Sequence, residues 1–429
     1  MHIADINVLY RAYLASMKGS AWKREPQMFE HDWLYQLSCL QIELNTRTYK
    51  TLPGSEFTLN ERGKIRHIHG GRMRDRVVRH ALCDEIVGPC TKPYLIHNNG
   101  ASQKNKGVSF ARIQFERDLH NYWLKHGNNE GYIGFKDLSK FYDNIRHDKI
   151  KELLYPVVPE ENWWLLDEIL KNMEVDVSYM TDEEYANCLT TKFDSVDYYA
   201  NVLFNERTGK RMMAKSVNIG DQLSQDIGVF FPHKIDNYAK IVRGLKCYGR
   251  YMDDIYYICE TREEALSISD GIDEQAGKYG LFINKHKTRI VKLSSVYKYL
   301  QIKYTLTDTG RVIKRINPKS VNRERRKLKA YKRLLDNGVI LLEDIEQAYR
   351  SWMGDYTRIM SKRQIRHMKE LFKQLFGKEI RWKRKSHSKT ARKSLLSKTG
   401  IASSWTESPN FPLTYPLLRR GIRRLKTHF

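Results

Sequence analysis

The sequence predicts an α+β fold. Helical periodicity occupies both ends of the chain, strand-like runs are few and short, and two of those runs bracket a pair of adjacent aspartates. Residues 1–50 mix polar and apolar side chains at helical spacing, with Pro26 as their one proline. The basic stretch FTLNERGKIRHIHGG (57–71) alternates over Phe57–Leu59 and Lys64–Ile68, with Glu61-Arg62-Gly63 as a hairpin turn. Asp75 opens a helix with apolar residues at 77, 78, 81, 82, 86 and 87. Residues 98–130 read as a Gly/Asn-rich loop and a helix ending at HGNNEG. The runs KCYGRY (246–251) and IYYIC (255–259) read as strands, and 264–280 as a helix with Gly280 at its C-cap. After LFIN (281–284) come a hairpin over 297–315, turning at TDTG, and long basic helices from about 318. Residues 171–218, acidic in patches and rich in Tyr, read as a linker-like insertion without a legible fold.

Composition narrows the function classes. The 429 residues are 41% hydrophobic and 11% aromatic, enough for a sizeable core, which excludes global disorder. At ~150 residues per domain the chain holds about three domains. The formal charge is +25, and it is unevenly placed. Residues 311–429 hold 32 Lys and Arg against 9 Asp and Glu, whereas the other 310 residues hold 43 against 41. Such a block is the footprint of a polyanion-binding region, because each neutralised phosphate releases counterions. No apolar run is long enough to span a bilayer, and the N-terminus lacks a signal-peptide layout. Six cysteines without a CxxC pair indicate neither a thiolate zinc site nor a disulfide framework, so a reducing cytoplasm is the expected compartment.

The carboxylates point to chemistry. GYIGFKDLSKFYDNI (131–145) puts Asp137 at the end of an apolar strand, and CYGRYMDDIYYIC puts Asp253 and Asp254 at a tight turn between two strands. Adjacent carboxylates in a hydrophobic sheet cannot all stay ionised without a cation. Divalent Mg²⁺ satisfies them, since it prefers a few carboxylates plus substrate phosphate. That chemistry is two-metal phosphoryl transfer.

These motifs resemble the bacterial reverse transcriptases, right-hand polymerases built of fingers, palm and thumb. Tyr251-Met252-Asp253-Asp254 is similar to the family's YxDD box, and Asp137-Leu138-Ser139-Lys140-Phe141-Tyr142-Asp143 to its first palm motif. Ile219-Gly220-Asp221-Gln222-Leu223-Ser224-Gln225 resembles the helix motif that contacts template and nucleotide, and Gly280 to Thr288 resembles GLxLNxxKT. The resemblance runs from about residue 60 to 360. It implies N-terminal helices and fingers over 1–130, a palm over 131–296 interrupted at about 171–218, a primer grip and helical thumb over 297–380, and a basic extension over 381–429.

For single residues, the resemblance implies two Mg²⁺ ions (or Mn²⁺) on Asp137 and Asp253, with Asp254 supporting them. Lys287 would donate a proton to the leaving pyrophosphate. Lys64 and Arg66 would hold the incoming triphosphate, Tyr142 would exclude a 2′-hydroxyl from the sugar site, and Gln222 would face the nascent base pair. Gly220, Ser224 and Gln225, with Tyr299 of the primer grip (297–307), would meet template and primer. In the thumb, Arg325 and Arg326 lie on NRERRKLKAYKRLL (322–335), whose basic surface would track a phosphate backbone. The stripe Tyr349, Trp352 and Tyr356 at helical spacing reads as core packing rather than base stacking.

Two positions depart from the family pattern. Arg79 replaces the Gln usual in DRVxQ, and IGDQLSQ replaces the QGxxxSP of intron-type enzymes. The Ile-Gly-xxx-Ser-Gln form resembles enzymes of diversity-generating retroelements and of anti-phage defence. The expected function is therefore synthesis of cDNA on a dedicated non-coding RNA from dNTPs, in anti-phage defence. The alternatives are mutagenic copying of a template repeat and a catalytically silent RNA-binding scaffold. A protein partner or a second copy of the chain is compatible with each, and a membrane is not expected.

Overall fold

The structure is a computed structural model that describes residues 2–61, 63–202 and 207–380. It divides into one unit ending at Arg315 and a second beginning at Ile316. The mixture of helices and antiparallel sheets is that of a right-hand polymerase, the α+β fold expected from the sequence. The basic extension over 381–429 lies outside the described residues.

The first unit opens with α1 (Ile6–Met17), α2 (Arg24–His31) and α3 (Trp33–Asn45), whose apolar faces bury Leu9, Tyr13, Phe29, Leu37 and Leu40. The basic hairpin follows as β1 (Ser55–Glu61) and β2 (Lys64–Gly70), then α4 (Met73–Leu82), which continues as a π-turn over Cys83–Val87. Asp75 does not open α4. It sits fully buried in its first turn, accepting from the Tyr49 hydroxyl (2.7 Å) and the Leu52 amide (3.1 Å). Short α5 (Gly88–Thr91) and long α6 (Val108–His126) lead to β3 (Tyr132–Asp137), α7 (His147–Leu154) and α8 (Trp163–Lys171).

The insertion is a small module. β4 (Val175–Asp176) pairs with β5 (Met212–Met213) around α9 (Asp182–Thr190) and α10 (Ser195–Asn201), over a core of Val175, Val177, Phe193 and Met213. It is fastened to the loop after β3. Asn144 exchanges hydrogen bonds with the Phe193 backbone at 2.8 and 3.0 Å, and Ser195 donates to Asp143 at 2.8 Å. These bonds join residues far apart in sequence, which is why local patterning gave the segment no fold.

The chain then forms α11 (Gln222–Phe230), α12 (His233–Asn237), β6 (Tyr248–Tyr251), β7 (Asp254–Cys259), α13 (Arg262–Lys278) and β8 (Arg289–Lys292). Strands β6-β7-β3-β8 make a four-stranded antiparallel sheet. Its β7 tyrosines lie over glycines on neighbouring strands. Tyr257 pairs with Gly134 and reaches the Ala265 carbonyl on α13 (3.0 Å), while Tyr256 pairs with Gly249 and reaches Asp118 on α6 (2.8 Å). Alternating side chains thus tie the sheet to a helix on each face. A smaller sheet, β9 (Tyr297–Tyr299), β10 (Ile302–Leu306) and β11 (Val312–Ile316), is packed by Tyr299 and Tyr304 around Phe115 of α6.

The second unit contains α14 (Pro318–Asp336), α15 (Leu342–Tyr356) and α16 (Lys362–Phe376). Asn317 caps α14, and a Ser361/Gln364 capping box opens α16. The Tyr349 and Tyr356 rings are buried in its core, with Tyr349 stacked on Phe372 at 4.6 Å and Trp352 partly buried beside them.

A Cβ on Gly134 would fall 2.1 Å from the Tyr257 ring. Gly134→Ala should therefore destabilise the protein by about 1–3 kcal/mol. Tyr257→Val in the same chain should recover part of that loss, as a double-mutant cycle in urea would read.

Candidate active site

Strand register assembles the carboxylates. Asp137, the last residue of β3, pairs with Asp254, the first of β7, and the Leu138 amide donates to the Asp253 carbonyl at 3.1 Å. The turn between β6 and β7 holds only Met252 and Asp253, and Met252 takes φ +56°, an uncommon conformation for a non-glycine residue. An arginine holds it there. Arg250 is fully buried, bonds both carboxylate oxygens of Asp236 (2.7–3.1 Å), and donates to the carbonyls of Met252 (3.1 Å) and Val229 (2.8 Å). Tyr248 adds a 2.7 Å bond to Asp236.

The neighbours of Asp137 come from the segment after α13. Asn284 donates to it from both its side chain (3.2 Å) and its backbone amide (2.8 Å), and Lys287 lies 2.5 Å from it. Burial, reinforced by Asp137, raises the Asp253 carboxyl above its ordinary value. Burial and the charges of Asp253 and Asp137 push Asp254 up to about 7. Burial alone would lower Lys287, but Asp137, Asp253 and Asp254 outweigh it and raise it. Three carboxylates lie close together with Lys287 bonded to one of them, and their hard oxygens are the donor set that Mg²⁺ takes. The residues present therefore fit a divalent-ion site.

The other expected site residues fall in several places. Lys64 and Arg66 are exposed near the tip of the β1–β2 hairpin, with Arg66 paired to Glu61 at 2.6 Å. The charge of Lys64 acts on Asp253, and that of Arg66 on Tyr142. Tyr142 is partly buried near the turn. A Cβ on Gly228 would lie 3.0 Å from its hydroxyl and 3.3 Å from the Met252 sulfur. Burial, then Asp253, raises its phenol. Gln222 begins α11 and donates to Asp84 at 2.8 Å, and exposed Gln225 accepts from Ser102 at 3.4 Å. Both glutamines and Gly220, which has φ +104°, line a cleft of about 720 Å³ with Lys18, Arg76 and Arg79.

Ser224 points the other way, fully enclosed with its hydroxyl 3.7 Å from the Met173 sulfur. Tyr299 is buried with its ring 4.5 Å from Phe115, so the part of its hairpin that differs from a plain strand pair is the backbone at Leu300 and Gln301, both at positive φ. Arg112 grips the Leu300 carbonyl twice (2.7 and 3.2 Å). Arg325 and Arg326 are exposed on α14, in the second unit.

Sequence reasoning missed Arg250, Asp236, Asn284 and Arg112. A lone arginine in the otherwise apolar strand YGRY was a usable signal, since a charge there needs a buried partner. It missed also that Arg79, the departure from the family pattern, pairs with buried Asp221, which caps α11.

A reverse transcriptase (RNA-dependent DNA polymerase) family profile matches residues 62–305, from the hairpin turn through the palm sheet into β10. The chain belongs to this family. Reverse transcriptase domains use divalent metal ions, and the family's activity is RNA-directed DNA polymerisation. Among solved structures, this reverse transcriptase chain is similar to a telomerase from Candida albicans in complex with a fragment of telomeric RNA. The identity is 12%, the TM-score 0.41, and the match covers 78% of this chain and 56% of that one. It is similar also to an apo telomerase from Candida tropicalis, at 14% identity and TM-score 0.38, covering 62% of this chain and 49% of that one. The chain thus spans about half the length of these structures. No curated protein matches it. Among the described residues no helix is long and apolar enough to cross a membrane.

Arg250→Met should cost about 3–5 kcal/mol of stability in urea, because it leaves Asp236 buried and unpaired. The raised Asp254 carboxyl gives a pH dependence of definite sign. Its folded value of about 7 lies above the unfolded value near 3.9, so the folded state holds the extra proton. Without divalent ions, stability should therefore fall as pH rises from about 4 to about 7. Asp254→Asn should make that slope shallower, leaving the shares of Asp118 and Asp226, each raised to about 6 by burial, and millimolar Mg²⁺ should act likewise in the wild type; thermal unfolding across pH checks both.

Proposed function

We propose that this protein is an RNA-directed DNA polymerase that makes cDNA on a dedicated non-coding RNA, with Asp137, Asp253 and Asp254 as its metal-binding carboxylates. The observation that carries the reading is the meeting of these three side chains with Lys287 at one end of the palm sheet. Two Mg²⁺ ions, when bound there, supply activation of the primer hydroxyl and stabilisation of the leaving group. The chain's own residues do the rest. Asn284 orients Asp137. Lys287, held protonated by its acidic neighbours, is placed to give a proton to the departing pyrophosphate. Lys64 and Arg66 carry positive charge to the hairpin tip, where a triphosphate would sit opposite the turn. Tyr142, whose hydroxyl flanks Gly228 as the Met252 sulfur does, narrows the sugar site by shape.

The template assignment is supported by charge. Residues 381–429 carry 13 Lys and Arg and a single acidic residue, Glu407, which suits a dedicated structured RNA. This extension, longer than retroelement enzymes usually carry, favours anti-phage defence as the setting. Localisation in the cytoplasm follows from the same reading.

Asp253→Asn with Asp254→Asn should abolish dNTP incorporation while leaving RNA affinity within about threefold, since neutralising carboxylates removes no phosphate-binding cation. Truncation after residue 380 should do the reverse, weakening RNA binding and flattening its salt dependence. Sequencing the nucleic acid that copurifies with wild type and double mutant reads the template directly. DNA present only in the wild type and matching a bound RNA is the expected result. Adenine-biased errors in that DNA would move the setting to diversity generation, and RNA without DNA in either sample would leave a scaffold.

A further inference from the structure

A second cluster of ligand-type side chains lies at the root of the β1–β2 hairpin, away from the palm carboxylates. Glu56 on β1 pairs directly with His69 on β2, and His67 follows at the alternate position, so all three share one face. Glu56 lies 3.2 Å from His67 Nε2 and 3.3 Å from His69 Nδ1, and the ligand atoms of the trio fall within 4.8 Å of one another. Bonds of 2.0–2.1 Å at tetrahedral angles place ligand atoms roughly 3.3 Å apart, close to the two separations from Glu56 to the imidazoles, one from each carboxylate oxygen.

His67 is 8% exposed; its Nε2 faces Glu56, and its Nδ1, on the other edge of the ring, is buried without a partner. The rings are oriented from the insertion. Tyr199 of α10 stacks on His67 at 4.2 Å, and Arg207, 3.9 Å over the Tyr199 ring, pairs with Glu56. Both imidazoles also line a cavity of about 10 Å³, space for roughly one water-sized guest.

We propose that Glu56, His67 and His69 form a binding site for a divalent transition ion of the zinc class. Two imidazoles and one carboxylate are borderline ligands that select such an ion over Mg²⁺, and they leave a fourth position for water. The ion would fix the hairpin face on which Tyr199 and Arg207 of the insertion pack. The site does not rest on the polymerase reading.

The full chain, stripped with chelator and held in excess Mg²⁺ to occupy hard-oxygen sites, is titrated with Zn²⁺ by calorimetry. One equivalent should bind. The same equivalent should persist in Asp253→Asn/Asp254→Asn and disappear in His69→Ala and Glu56→Gln. Co²⁺ on the wild type should give the visible absorption of a tetrahedral nitrogen–oxygen site, a readout that needs no variant to fold. Zn²⁺ stoichiometry unchanged by either ligand substitution, or Co²⁺ without those bands, would overturn the proposal. Loss of the equivalent in the aspartate variant alone would do the same, because the ion would then belong to the palm.

Discussion

Arg250 and Asp236 form the contact on which the geometry of the carboxylate cluster depends. Both are fully enclosed, and the pair replaces water for two charges that would otherwise be strongly destabilising in a protein interior. Its value is positional. The same guanidinium that neutralises Asp236 reaches the carbonyl of Met252, so the turn bearing Asp253 is held by the palm core rather than by its own two residues. Asp253 is raised by burial and the charge of Asp137, and Asp254 by burial and the charges of Asp253 and Asp137; a turn carrying that electrostatic load relaxes unless something rigid opposes it. Evenly buried aliphatic residues in place of the pair could match its stability, but not its directed bond to one carbonyl.

The same logic extends outward. Tyr256 and Tyr257 lie across glycines and fix α6 and α13 to opposite faces of the sheet, and Lys136, beside Asp137 on β3, is tied to Asp273 of α13. The segment after α13 returns Asn284 and Lys287 to Asp137 because β8 pairs with β3 a few residues later. The first palm motif also serves two structures at once. Asp137 faces the site, while Asp143 and Asn144 fasten the insertion module.

Much of this was legible in the sequence, because its signals are local. The apolar strand ending at Asp137, the strands flanking Met252-Asp253-Asp254, the fingers hairpin and the helical termini follow from periodicity and turn chemistry. The matching family profile covers the span that carries these motifs. What stayed hidden is tertiary. The insertion acquires its fold through bonds to residues some fifty positions earlier, and the short strand 289–292 is recognisable only from its pairing with β3. Ser224 shows the limit from the other side. A motif names a residue type at a position, whereas its rotation on α11 turns that hydroxyl into the core. Arg79 shows how a departure from a pattern can be explained once its partner is seen, since Asp221 supplies the charge that a glutamine would not need.

Two turns in the first unit share a device. In each, a residue other than glycine sits at positive φ, Met252 in one and Leu300 in the other, and in each an arginine from outside the turn grips that residue's carbonyl. Left-handed backbone disfavours most side chains by roughly 1–2 kcal/mol and spares glycine, asparagine and aspartate. A combinatorial library randomised at 252 and 300 would therefore be sorted by backbone tolerance before any chemistry is selected. On backbone grounds alone isoleucine, valine and threonine would be depleted at these two positions, and glycine and asparagine enriched.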